Sequence, residues 1–252
     1  MIALTHLPSP TMEHGLRTFV APSPIDHQKA RLQHQAYCEL LRQCGAAVRV
    51  LEVNLPQPDC AFIEDTAVVL DEVAVLASMG DLARRGETGG VETVLREYRN
   101  VHRVDLPATL EGGDVLRIGR TLLVGLSSRT DMAGVDALKE IVQPYGYQVR
   151  AVTVRGCLHL KTACTAIGDG RLLVNTAWIN PADLADFQIV PVPLSEPWGA
   201  NVLPLGGKLC LPAAHRATAE MVEKLAGDVV TVDVSELAKA EAGVTCLSLL
   251  IE

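Results

Sequence analysis

The sequence predicts an α/β fold built from about five ββαβ-like modules arranged round an axis, and three observations predict it. First, short apolar strand pairs recur around acidic or glycine-bearing turns. They read VVL-DE-VAVL at 68–76, LRIGRTLLVG at 116–125, AIGDGRLLV at 166–174 and LPLGGKLCL at 203–211. Second, their turn centres fall near 71, 119, 169 and 206, an irregular period close to ~45 residues, within the range of arrays and propellers. Third, a helix-like stretch follows each pair, often with a further strand after it. An ordinary open α/β sheet shows the same alternation, but the repetition favours a radial arrangement in one domain, residues 1–252.

The elements follow in order. After a segment marked by Pro8, Pro10, Pro22 and Pro24, a helix is expected from Asp26 to Cys44, with Ala30, Tyr37, Leu41 and Cys44 on one face and Gly45 as its stop. A strand over Val48–Val53 comes next. The first hairpin, Ala67–Ala77, precedes a helix near Val91–Tyr98. The second, Val115–Leu126, precedes a helix over Asp131–Gln143. The third, Thr165–Thr176, precedes a shorter helix over Pro181–Phe187. The fourth, Val202–Leu211, precedes a helix over His215–Ala226 and a strand over Val229–Val234. The N-terminal helix and Val48–Val53, completed by a C-terminal strand, would make the fifth module. In that last stretch Val244, Cys246 and Ser248 alternate with Thr245, Leu247 and Leu249, which suits a strand leaving a loop.

Composition excludes several function classes. The chain is 252 residues long, 48% hydrophobic, with a net charge of -8, and its scattered basic residues form no footprint for nucleic acid. No apolar run is long enough for a membrane span, and Met1–His6 lacks the basic and apolar segments of a signal peptide. The seven cysteines include no CxxC pair and cannot all pair within one chain, which points to a reducing, cytoplasmic setting. Cys157-x-His159 and His34-x3-Cys38 lack partner clusters, so no metal site is expected.

Four polar stretches interrupt apolar context where hairpins begin: Asp59 to Asp65 (DCAFIED), Glu111 to Asp114 (EGGD), Leu158 to Thr162 (LHLKT), and Cys246. Singly, each has a plain structural reading. The carboxylates could cap turns, His159 could be a satisfied core histidine, and Cys246 could be a small buried hydrophobe. Together they make one chemistry available. A thiolate is a strong nucleophile, a histidine exchanges protons near neutrality, and carboxylates hold a cation. A guanidinium matches carboxylates in its planar fork of N–H donors, and holding it by its nitrogens would align its central carbon with the thiol.

FIED (62–65), RRGET (84–88), EGGD (111–114), SSRT (127–130), LHLKT (158–162) and GVTC (243–246) resemble the motifs of the dimethylarginine dimethylaminohydrolase family, within the guanidino-modifying (amidinotransferase/arginine deiminase) superfamily. The resemblance runs from His14-Gly15-Leu16 to Cys246 in the family's order. It implies a five-bladed α/β propeller and a cofactor-independent hydrolase that converts methylated arginine to citrulline through a covalent cysteine intermediate. It implies Cys246 as nucleophile, His159 as general acid and then base, and Glu111 as the residue orienting His159. Asp65 would bind the guanidinium with Glu64 in support. Asp59 and the backbone of Leu16 and Ala240 would receive the α-amino group, and Arg84 and Arg129 the α-carboxylate, although a surface ion pair is the plainer reading of either arginine.

The chain departs from the superfamily's deiminases at Lys161, where they carry an aspartate two residues after the histidine. It departs from relatives at Thr66, often proline, and at Ala240, usually a larger aliphatic. The expected partner is a small-molecule substrate, with a homodimer possible and neither nucleic acid nor membrane involved. A deiminase of another guanidino compound and a non-catalytic binder of arginine derivatives are the competing functions.

Overall fold

The computed structural model describes residues 1–252, and its elements follow the expected order with local differences. Strand β1 (Ile2–His6) is followed by helix α1 (His27–Gln43) and β2 (Ala47–Leu51). The Asp26 carboxylate accepts the Lys29 N–H at 3.0 Å and starts α1. Gly45 ends it in a left-handed conformation, φ +90°. The first hairpin is β3 (Ala67–Val69) and β4 (Val73–Leu76), with α2 (Glu87–Leu95) and β5 (Asn100–Arg103) after it. The second is β6 (Val115–Ile118) and β7 (Thr121–Leu126), followed by α3 (Met132–Val142) and β8 (Gln148–Thr153). A single helical turn, α4 (Leu160–Ala163), leads into β9 (Cys164–Ala166), β10 (Arg171–Val174) and β11 (Gln188–Pro191). Then come β12 (Leu203–Leu205), β13 (Lys208–Pro212), α5 (Arg216–Ala226), β14 (Val229–Val232), a short α6 (Ser235–Ala238) and β15 (Leu249–Ile251).

Five three-stranded sheets result, ordered β3-β4-β5, β6-β7-β8, β9-β10-β11, β12-β13-β14 and β15-β1-β2. In each the first pair is antiparallel and the second parallel. The fifth module is therefore assembled from both chain ends: β15 takes the inner position that a hairpin strand takes elsewhere. Strand β1 was not foreseen, because five residues, IALTH, give too little alternation to read.

The apolar core explains why the modules close into a ring. Five buried clusters each join two neighbours. Val75 and Val124 share one, Leu123 and Leu172 the next, and Leu173 and Leu209 the third. Tyr37 and Cys210 share the fourth, and Leu4 and Ala74 the fifth. No module has a private core, so none can bury its faces alone. The inner strands β3, β6, β9, β12 and β15 line a cavity of about 300 Å³ along the axis. No helix is long and apolar enough to cross a membrane.

Two expectations are corrected. The helix expected over Pro181–Phe187 is a 3₁₀ turn, Pro181–Leu184, because β11 already begins at Gln188 and leaves no length for a nucleated helix. Cys246 lies not in a strand but in a 3₁₀ turn, Thr245–Leu247, and the strand starts only at Leu249.

Candidate active site

The ring brings the polar stretches to one place because each sits in the turn that feeds an inner strand. Ile63–Thr66 feeds β3, Gly112–Asp114 feeds β6, α4 feeds β9, and Thr245–Leu247 feeds β15. The fourth module contributes Asn201, immediately ahead of β12, which sequence reasoning missed. Its Oδ1 accepts the Thr245 N–H at 3.0 Å, and its Nδ2 donates to Lys161 O and Thr245 Oγ1, both at 2.9 Å. The module period itself pointed to the residues before Leu203, but an Asn in a loop carries no signal of its own.

Asp65 is 3% exposed and its two oxygens are treated differently. Oδ2 accepts from Arg84 Nη1 at 2.6 Å, whereas Oδ1 is buried without a hydrogen-bond partner and lies 3.7 Å from His159 Nδ1. Gly113 packs directly against that oxygen and the imidazole: a Cβ there would stand 2.5 Å from Oδ1 and 2.7 Å from Nδ1. At Gly112 a Cβ would meet the Glu64 carbonyl at 2.0 Å. Both glycines of EGGD therefore serve close approach between turns.

His159 is fixed from its other nitrogen, Nε2 standing 2.8 Å from Glu111 Oε2. Glu111, fully buried, also accepts the Gly80 N–H at 3.1 Å and a longer bond from Arg129 Nη1 at 3.4 Å. Asp114, the last residue of EGGD, accepts the Leu160 N–H at 2.9 Å and the Ser127 hydroxyl at 2.7 Å. It thus anchors the turn that carries His159. Burial alone would lower the His159 pKa, but Asp65, Asp114 and Glu111 outweigh it and raise it to about 9. Burial would raise Asp65 and Glu111. The cation at His159, with Arg84, instead holds both below the usual carboxylate range.

Cys246 is the one cysteine of seven that is not buried. Its Sγ accepts the Gly243 N–H at 3.3 Å, and Tyr37 Oη donates to Val244 O at 2.8 Å while meeting Ser248 Oγ at 2.8 Å. Burial of the sulfur, with Glu64 and Asp65 nearby, pushes the thiol up to about 12. Glu64 is tied to the same turn: Oε2 accepts from Thr245 Oγ1 at 2.8 Å and Oε1 from Lys161 Nζ at 2.5 Å. Lys161 therefore faces the site as an ion-paired group. It does so from the helical turn α4.

Among the residues expected to hold the amino-acid end, Asp59 Oδ2 accepts the Leu16 N–H at 3.2 Å. Burial raises its pKa. Ala240 is buried in the segment before Cys246. The two arginines are not equivalent. Arg84 is 3% exposed and commits four of its five N–H groups, to Glu87, Asp65 and the Phe62 carbonyl. No bidentate fork is left for a ligand. Arg129 donates from its side chain only to Glu111. Glu87 was visible in RRGET as an i,i+3 partner of Arg84 but carried no assigned role. Asp65, Glu111 and His159 offer ligand atoms within 4.8 Å of one another. Arg84, Arg129 and the imidazolium already occupy that cluster as cations, so the donor set does not favour a metal ion.

A pH dependence follows. The imidazole of His159 has an ordinary pKa of about 6.5 when unfolded and about 9 when folded. Its contribution is therefore complete below about pH 6.5 and is lost as pH rises through 9. Between pH 6.5 and 8.5 the stability of the protein is expected to fall, with a slope of up to about 1.4 kcal/mol per pH unit, and its Tm with it. His159→Gln is expected to flatten it. An equal slope in that variant, read by calorimetry, would remove the imidazolium from the account.

Comparison with known proteins agrees with this geometry. A family model described as "N,N dimethylarginine dimethylhydrolase, eukaryotic" matches residues 17–191. The N(G),N(G)-dimethylarginine dimethylaminohydrolase of Streptomyces coelicolor is 41% identical over 98% of this chain and 95% of its own. The Pseudomonas aeruginosa enzyme, as a cysteine-to-serine mutant complexed with citrulline, superposes with a TM-score of 0.92 at 30% identity, covering 98% of this chain and 97% of that one. A dimethylarginine dimethylaminohydrolase with a histidine-to-glycine change, as an adduct with S-methyl-L-thiocitrulline, gives 0.93 at 30% identity, over 98% of both chains. The five-module ring with these turns at its axis, matched over nearly its whole length, places the chain in the dimethylarginine dimethylaminohydrolase family.

Proposed function

We propose that the whole ring acts as one catalytic domain that hydrolyses N-omega-methylated arginine to citrulline and a methylamine. The observation that carries this reading is Asp65 Oδ1, a buried acceptor without a partner, beside an imidazolium and on the neighbour of Glu64, which is hydrogen-bonded to the turn that bears the half-buried Cys246. An orphan carboxylate oxygen calls for an N–H donor, and a substrate guanidinium supplies one with a charge. The seven free thiols suit a reducing, cytoplasmic setting.

The reaction starts from a neutral thiol and a charged histidine. The guanidinium, held at Asp65, brings a positive charge beside Sγ and lowers the thiol's pKa, and the thiol proton leaves to solvent. The thiolate attacks the central guanidinium carbon, forming a C–S bond. His159 gives its proton to the methylated nitrogen, the C–N bond breaks, and neutral methylamine departs from an S-alkylthiouronium cation. Neutral His159 then takes a proton from water as that water attacks the same carbon. The C–S bond breaks, the thiolate takes the hydroxyl proton, and citrulline is released. Glu111 keeps the ring of His159 in place throughout. At the amino-acid end, Asp59 with the Leu16 and Ala240 backbone receives the α-amino group. Arg129, with its free donors, reads the carboxylate, and Arg84 adds at most one N–H.

Acid-quenched incubation with dimethylarginine is expected to show a covalent adduct on the Cys246 peptide together with citrulline in solution. Tight binding without an adduct would favour a binding protein. In the free protein, alkylation of Cys246 should accelerate with pH towards 12 without levelling off near neutrality. Cys246→Ser should keep substrate binding but less than ~1% of turnover. A plateau in alkylation below pH 8 would mean a preformed thiolate and overturn the substrate-driven ionisation.

For the carboxylate, Arg129→Lys keeps charge but loses the planar fork. It is expected to raise KM for methylarginine roughly tenfold, the worth of one charge-assisted hydrogen bond. Turnover of a carboxylate-free analogue such as agmatine should not change. Equal losses for both ligands would sink Arg129 as the reader.

Substrate choice rests on Lys161. By neutralising Glu64 it leaves Asp65 alone to accept guanidinium N–H groups. On the leaving side, methyl groups gain ~0.8 kcal/mol per buried carbon, while an unsubstituted nitrogen would leave donors unpaired at about 1–3 kcal/mol each. Dimethylarginine should therefore exceed arginine in kcat/KM by at least ~10-fold. Side-by-side rates showing arginine equal or better would assign the chain to deimination.

A further inference from the structure

A cavity of about 250 Å³ lies against the segment that precedes Cys246, yet none of Cys246, His159, Asp65, Glu111, Arg84 or Arg129 lines it. Its wall includes Val20, Trp198, Asn201, Asp233, Glu241 and Gly243. Two of these are carboxylates, and neither lysine nor arginine is in the lining. Lys29, which reaches Ser235 at the rim, is itself bonded to Glu236. Burial lowers the pKa of His215, also in the lining, so it adds no charge at neutral pH. Glu241 is 8% exposed and takes a left-handed backbone, φ 68°, rare for a residue with a side chain. Its Oε1 accepts the N–H groups of Thr18, Phe19 and Val20, and its Oε2 is buried without a partner.

We propose that this cavity is a second small-molecule site, for an organic ammonium ion with a flat apolar body, whose occupancy acts on the Cys246 turn. Asp233 and the unpartnered Glu241 oxygen are the acceptors for the ammonium group. Trp198, with Pro212 and Val234, makes part of the wall apolar, and an aromatic ring in it suits a cation. An α-amino acid fits poorly, because no cation in the wall meets a carboxylate; the ligand is thus not the substrate. Two wall residues hold the nucleophile: Gly243 donates to Sγ, and Asn201 accepts from the Thr245 N–H. Glu241 ties residues 18–20 to the same segment. A ligand pressing on these groups changes turnover without touching the reacting atoms.

Phenethylamine is the probe, and isothermal titration calorimetry on the intact protein reads binding independently of activity. Saturable binding is expected with Kd on the order of 1 mM, the range for so small a ligand. The neutral isostere 3-phenylpropan-1-ol should bind at least ~10-fold more weakly. Ala238→Trp, on the exposed rim, should abolish binding, and Ala214→Trp at a second rim position repeats the test should the first variant fail to fold. Methylarginine should not displace the amine, and kcat should fall at saturating substrate. Absence of saturable binding, unchanged binding in both rim variants, or displacement by methylarginine would overturn the site. Failure of the hydrolase reading would instead appear as absent citrulline with amine binding intact.

Discussion

The half-paired carboxylate of Asp65 is the constraint on which the site depends. A fully buried carboxylate without partners would protonate rather than stay charged. One with every lone pair satisfied would have nothing to offer a ligand. Arg84 settles the first problem by bonding Oδ2, and Glu87 settles the second by holding Arg84 away from Oδ1. The unpaired oxygen costs about 1–3 kcal/mol in the free protein, and a guanidinium bound as proposed would relieve that cost. On that proposal, part of the recognition energy is held in the free protein as an unmet hydrogen bond.

This arrangement is possible because the ring has no private cores. Each turn at the axis is fixed by residues from other modules. Tyr37 on α1 holds Val244, Asn201 of the fourth module holds Thr245, and Asp114 of the second holds Leu160 of the third. Small displacements of one module are therefore felt at several groups of the site at once, and Gly112 leaves no slack between the Glu64 carbonyl and the second module.

What the sequence made legible follows the strength of local signals. Hairpins with glycine or acidic turns and helices with caps were readable, because each is decided within ten or so residues. The 3₁₀ turn at Cys246 was not. GVTCLSL alternates as a strand does, and only the demand of Tyr37 and Asn201 on residues 244–245 bends it. The motifs led to Cys246, His159, Glu111 and Asp65, which the structure does bring together. They gave Arg84 and Arg129 one shared role, and the hydrogen bonds separate them, because a motif states which residue is present but not which partner has already claimed its donors. Lys161 shows the same limit: its position relative to His159 was known, but its ion pair with Glu64, 97 residues away in sequence, was not.

The two proton-bearing groups are tuned in opposite directions for one task. With His159 raised to about 9 and Cys246 to about 12, the free protein at neutral pH holds an acid and a quiet thiol. Burial of the sulfur is the main reason the thiol keeps its proton, and Glu64 and Asp65 beside it add to the effect. Asp65 is common to both effects: it helps to keep the thiol protonated and the imidazole charged, and in the proposed reaction it also attracts the guanidinium. In the proposed reaction this one setting would select the substrate, arm the leaving-group acid, and withhold the nucleophile until a cation is present. A neutral ligand of the same shape would find the acid ready and the thiol still protonated. Discrimination for charge is in this way built into the chemical step as well as into binding.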